Sequence, residues 1–153
     1  MRIWRLVATP FAANAFSGDG ARIAGGRWNP KGVPVVYAAS SLALATLELL
    51  VHVADDLMPA DWVVYAIELP DNLAIEALAI DQLPPNWREY PAPEALQNLG
   101  ADWHGQRRSA VLAVPSAIVP VEFNYLINPD HPDFAHITWG LAQPFQFDTR
   151  LRK

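Results

Sequence analysis

Residues 41–54 read Ser-Leu-Ala-Leu-Ala-Thr-Leu-Glu-Leu-Leu-Val-His-Val-Ala. Wound as a helix at roughly 100° per residue, the stretch is apolar on nearly every side. Its only ionisable groups are Glu48 and His52, and the i, i+4 spacing puts both on one face. A buried carboxylate without a partner is costly, so Glu48 must lose its charge or meet a donor or a cation. The nearest candidate cation upstream is Arg27, in Gly25-Gly26-Arg27-Trp28-Asn29-Pro30-Lys31-Gly32. Two glycines ahead of the arginine let the backbone bend and approach a ligand closely. Acid and cation together read as a site.

Outward from this segment, the chain divides into short elements. Ile3–Val7 is expected as an edge strand that ends before Pro10, and residues 12–32 as a loop rich in Gly, Ala and Asn. Val33–Ala39 is a strand by its β-branched content; Ser40 or Ser41 then caps a helix running to about Ala54. Asp61–Leu69 has strand composition and stops at Pro70. Leu73–Ile80 is a further strand candidate. Pro93–Leu99 reads as a short helix ended by Gly100, with a separate turn over Asp102–Arg108. Ala110–Val114 and Phe123–Ile127 are strands, Asn128–Pro132 a turn, and Ile137–Trp139 and Phe145–Asp148 the last strand candidates. The order is mixed and not βαβα, which makes 1–153 a single α+β domain with antiparallel sheets and a few helices.

Composition removes several function classes. At 153 residues, 52% hydrophobic and 18% charged, the chain has enough apolar content for a core and too little charge for disorder. A net charge of −5 argues against direct nucleic-acid binding through phosphates. With no cysteine, disulfides and thiolate chemistry are absent. The start, Met1–Val7, holds no apolar core of signal-peptide length, and the longest apolar run falls short of the roughly 20 residues of a membrane helix. A soluble cytoplasmic protein is expected. Nothing matches a dinucleotide-binding Gly-x-Gly-x-x-Gly, a phosphate-cradling loop or a hydrolase elbow. Glu48 with His52 offers two metal ligands, too few for a zinc site, so no metal is expected.

Read together, three blocks resemble the RES domain family, named for its Arg, Glu and Ser. They are Gly25–Gly32, then Val35-Val36-Tyr37-Ala38-Ala39-Ser40, then Ala45-Thr46-Leu47-Glu48-Leu49-Leu50-Val51-His52. The serine would be Ser116 in Val114-Pro115-Ser116-Ala117-Ile118-Val119-Pro120, and the run from Glu122 to Phe134 also fits. The resemblance spans Trp4-Arg5 to about Phe134. It implies a toxin of a bacterial toxin–antitoxin pair with a fold similar to ADP-ribosyltransferase toxins. It further implies NAD⁺ as substrate, cleaved at the nicotinamide–ribose bond, with water, phosphate or a protein side chain as acceptor. The implied partner is an Xre-type helix-turn-helix antitoxin.

The residue types suit that chemistry. Nicotinamide leaves as a neutral ring, so the ribose carbon develops oxocarbenium character and no general acid is needed. A preorganised carboxylate, Glu48, can stabilise that charge. Arg27 can fork onto pyrophosphate or ribose oxygens. Tyr37 can stack on the nicotinamide ring, Ser116 can donate to the ligand or to Glu48, and Asn124 can reach the ligand from its strand. The competing class is a non-catalytic partner-binding module of the same fold. Without the family, an Arg–Glu pair is more often a structural salt bridge, Tyr37 a core aromatic, Ser116 turn chemistry and His52 a satisfied core histidine.

Overall fold

The computed structural model describes residues 1–53 and 61–151. Two strands form its centre. β1 (Arg2–Ala8) and β3 (Trp62–Glu68) pair antiparallel along their whole length, from Arg2 opposite Glu68 to Ala8 opposite Trp62. β2 (Val36–Ala39) pairs on the other side of β1, so β1 lies inside the sheet and not at the expected edge. The physical reason is in the strand itself. Ile3 and Val7 are buried on one face, Leu6 and Ala8 on the other, and a strand apolar on both faces belongs in the interior.

The sheet continues through β6 (Phe123–Ile127), β5 (Val111–Pro115) and β4 (Ile75–Ala77), giving the order β4-β5-β6-β2-β1-β3. β7 (Thr138–Trp139) and β8 (Gln143–Phe145) close the far side by pairing with β3. β4 and β5 are parallel, the exception in an otherwise antiparallel sheet, and their connection carries a helix, as a parallel crossover requires. The fold is α+β. Three α-helices are described: α1 (Asp19–Ala24), α2 (Leu42–Leu50) and α3 (Glu94–Gln106). α1 and a 3₁₀ turn at Thr9–Asn14 replace part of the loop expected over 12–32. α2 ends at Leu50 with Val51 as its C-cap, short of the expected end at about Ala54, itself outside the described residues.

Strand alternation sorts the side chains between two faces. Val36, Ala38, Val111 and Ile127 pack with Ile3 and Ile67 on one face. On the other, Leu112, Val114 and Leu126 meet α3, while Leu6, Ala39 and Val64 meet Leu44 and Ala45 of α2. α3 buries Leu96, Gly100 and Trp103, an i, i+4, i+7 stripe. It therefore runs through Gly100, where the sequence suggests a stop. A Cβ at Gly100 would lie 1.7 Å from the Trp28 carbonyl oxygen, so the glycine serves close packing of the helix against the 25–29 loop. The helix ends instead at Arg107, in the left-handed conformation (φ 50°).

This contact has a direct test. Gly100→Ala is expected to destabilise the fold by about 1–3 kcal/mol through overpacking, read by urea denaturation. An unchanged or higher midpoint would show that the loop is not seated on α3.

Candidate active site

Glu48 is set in place from the start of α2. Ser41 caps the helix, its hydroxyl accepting from the Leu44 amide at 3.0 Å and donating to Glu122 at 3.2 Å. Ser40 donates to the same Glu122 oxygen at 3.3 Å, so the cap is tied to the segment leading into β6. Leu44, one turn before Glu48, is buried against the sheet, and the i+4 relation turns Glu48 toward the sheet too.

What Glu48 meets there comes from two distant strands. Ala39 of β2 pairs with Asn124 of β6, and Asn124 pairs with Val114 of β5. Alternation therefore puts Asn124 on the face under α2. Asn124 donates through Nδ2 to Glu48 Oε1. Ser116, fully buried just past the end of β5, donates through Oγ to the same Oε1 at 2.8 Å. The serine oxygen also accepts from the backbone amides of Ile118 (3.1 Å) and Val119 (3.0 Å). With both acceptances filled by N–H groups, its one proton goes to the carboxylate. Glu48 is half-buried, and its second oxygen receives no hydrogen bond from the described residues.

Arg27 reaches the same place without pairing to Glu48. Its Nη1 donates to the carbonyls of Trp87 (2.8 Å) and Glu89 (3.0 Å), so the guanidinium clips the 87–89 rim to its own loop. Burial lowers its pKa from the ordinary value, opposed by the fields of Glu48 and Tyr37. The loop is braced from three sides. Gln97 of α3 donates to Gly26 O at 2.9 Å. Asn29, fully buried, spends its amide on the carbonyls of Ala21, Pro30 and Val33. Tyr37 donates its hydroxyl to Asn29 Oδ1 at 2.7 Å and accepts from the Trp28 amide at 3.2 Å. A Cβ at Gly26 would sit 2.7 Å from that hydroxyl, which is why this position is glycine. Burial pushes the Tyr37 phenol well above its ordinary value, so it stays protonated and keeps donating. Its hydroxyl is thus committed to the loop, while the ring lines the cleft.

The cleft measures about 1000 Å³, the size of a site for a large ligand. Arg27, Tyr37, Glu48 and Asn124 all line it. Ser116 sits behind Glu48. His52, on the Glu48 face but beyond the end of α2, lines the mouth and is exposed, not a core histidine. Arg5 was not among the residues singled out by sequence. It sits in β1, donates to Ala15 O (2.8 Å) and Tyr37 O (2.6 Å), and lines the cleft with no carboxylate partner among the described residues. Burial lowers its pKa to about 10, which leaves it charged at neutral pH. The available signal was a lone cation inside the apolar run Ile3–Val7. Among the described residues, no group of three or more His, Asp or Glu side chains could hold a metal, and no helix is long and apolar enough to cross a membrane.

A family model described as the RES domain matches residues 2–148. The chain belongs to the RES domain family. A protein named Toxin Res from Photorhabdus laumondii is 40% identical to this RES chain, covering 100% of it and 98% of its own length. The Prs ADP-ribosylating toxin of a Sphingobium species is 41% identical, covering 97% and 94%. Toxin Res of Pseudomonas putida is 39% identical over 99% of each. Among solved structures, the crystal structure of the Mycobacterium tuberculosis MbcT–MbcA toxin–antitoxin complex contains a chain of the same fold. Its TM-score is 0.75 at 20% identity, over 94% of this RES chain and 83% of that one.

Tyr37→Phe isolates the hydroxyl from the ring. Removing it leaves Asn29 Oδ1 and the Trp28 amide without their partner, an expected loss of about 1–3 kcal/mol in urea denaturation. A variant within about 0.5 kcal/mol of the parent would contradict the loop-clamp role.

Proposed function

We propose that this RES chain is the toxin of a toxin–antitoxin pair and that it consumes NAD⁺ by cleaving the nicotinamide–ribose bond. The observation that carries the reading is the Glu48 carboxylate, held by Ser116 and Asn124 through one oxygen and presenting the other at a cleft large enough for a dinucleotide. Bond breaking leaves positive charge on the ribose carbon, and a fixed carboxylate in a partly water-excluded cleft stabilises it without reorganising. Arg5 and Arg27 supply cations for a pyrophosphate, Arg5 from a rigid strand and Arg27 from a braced loop. The Tyr37 ring offers a flat apolar wall for nicotinamide. Ser116 acts through Glu48: its proton is already used, and among the described residues no histidine hydrogen-bonds to its hydroxyl, which speaks against a serine nucleophile.

A second reading differs in the acceptor. The Sphingobium relative is named a Prs ADP-ribosylating toxin, so transfer of ADP-ribose to a protein is the alternative to water or phosphate. The non-catalytic module is the weaker reading, because Glu48 keeps both donors and an open oxygen. The expected partner is a helix-turn-helix antitoxin of the Xre type. The fold neighbour was solved in a toxin–antitoxin complex, and the net charge of −5 leaves DNA contacts to such a partner.

Purified protein incubated with NAD⁺ is expected to release nicotinamide, resolved by mass spectrometry. Glu48→Ala is expected to lower the rate by about 10²–10³ and to relieve growth arrest while the protein stays folded. Undiminished release or toxicity from that folded variant would overturn the mechanism.

A further inference from the structure

Four aromatic residues line the large cleft: Trp4, Trp28, Tyr37 and Tyr90. Three of them are packed into the fold. Trp28 is buried, Trp4 and Tyr37 are half-buried, and the Tyr37 hydroxyl is committed to the Arg27 loop. Tyr90 stands apart. It is 81% exposed, and its side chain makes no hydrogen bond or ring contact with a described residue. It borders the large cleft and also a smaller cavity, about 190 Å³, that opens beside Glu48. A ligand engaging Glu48 and Arg27 therefore has this ring beside it.

The ring is exposed, but the rim that carries it is fixed. Trp87 is buried in one cluster with Leu83, Leu96 and Trp103. The Trp87 amide donates to Pro84 O and the Glu89 amide to Asn86 O, each at 3.0 Å. Arg88 Nε donates to Ala117 O at 2.9 Å, and Arg27 holds the carbonyls of Trp87 and Glu89. Tyr90 follows directly on Glu89, so it sits on the same rim that positions the Arg27 guanidinium. A ring on such a rim has only its own two torsions to lose when a ligand covers it.

NAD⁺ runs from nicotinamide through ribose and pyrophosphate to a second ribose and adenine. With nicotinamide on Tyr37, its ribose at Glu48 and the pyrophosphate at Arg27, a group extending past the pyrophosphate meets the rim that Arg27 touches. There Tyr90 is continued along the cleft wall by Pro91 and Ala92, both apolar. We propose that Tyr90 stacks on the adenine and is a specificity-determining residue, favouring substrates with an aromatic base beyond the pyrophosphate. The proposal rests on the NAD⁺-cleavage reading above. A nucleobase offers its π-face to a tyrosine ring whatever its edge carries, and the covered ring leaves water. Adenine is unchanged by the reaction, so the contact is equal in ground and transition states. Such uniform binding lowers KM and leaves kcat alone.

Two measurements on the purified full chain test this: steady-state nicotinamide release from NAD⁺, and calorimetric binding of ADP-ribose, which carries the adenine without nicotinamide. Tyr90→Ala is expected to raise KM for NAD⁺ about tenfold and to weaken ADP-ribose binding by a similar factor, with kcat within about twofold of the parent's. Tyr90→Phe keeps the ring and should match the parent. Tyr90→Leu keeps apolar bulk without a π-face and should recover little. Because the side chain is exposed, all three variants are expected to keep the parent's thermal midpoint. An unchanged KM in Tyr90→Ala, a raised KM with ADP-ribose still bound at the parent's affinity, a loss confined to kcat, or full recovery in Tyr90→Leu would overturn the stacking assignment while leaving NAD⁺ cleavage standing. No nicotinamide release by the parent would remove the cleavage reading and this assignment together.

Discussion

A carboxylate on an apolar helix needs donors, and the structure around Glu48 is arranged to provide two. Both arrive at one oxygen, from Ser116 and Asn124, which lie 68 and 76 residues away in sequence. The serine is itself fixed by two backbone amides, so its proton has one destination. Satisfying one oxygen within the protein leaves the other for the cleft. Much of the surrounding architecture keeps this contact in register: the Ser41 cap, the Glu122 tie and the β2–β6 pairing that brings Asn124 under the helix.

The opposite wall follows a different logic. Arg27 sits on a loop with little regular structure of its own, and its position is set by α3, Asn29 and Tyr37 together. Gly26 and Gly100 are small because hydroxyl and backbone occupy the space a methyl group would need. The loop is thus rigid without being helix or strand, which suits a cation that must meet an anionic ligand without first being ordered. Rim and floor are linked as well, since Arg27 holds the 87–89 carbonyls and Arg88 holds Ala117 beside Ser116.

Much of this was legible in the sequence where the signal is local. The apolar segment with Glu48, its serine cap, and the strands expected at Ala110–Val114 (found one residue later, at Val111–Pro115) and Phe123–Ile127 follow from composition and periodicity. The Gly-Gly-Arg block stood out because glycine pairs mark close backbone approach. What was not legible depends on contacts between distant segments. Gly100 reads as a helix stop until Trp28 is seen packed against it. β1 reads as an edge until strands on both sides cover its two apolar faces. The direct Arg27–Glu48 pairing suggested by charge is replaced by backbone carbonyls for one and strand donors for the other, because partner choice is set by register and not by sequence proximity. The role of Arg5 is not legible in the sequence, since a single strand cation has a solvated alternative that only the cleft rules out.

The account turns on Ser116 and Asn124 acting through one carboxylate oxygen, so the most direct measurement is a double-mutant cycle on nicotinamide release from NAD⁺. Ser116→Ala, Asn124→Ala and the double variant would be compared with the parent at saturating substrate, each with its folded fraction checked. If both donors serve Glu48, each single loss lowers kcat and the double variant falls well short of the product of the two, the coupling expected of groups that share a partner. Losses that multiply independently, or single variants that keep full activity, would contradict it.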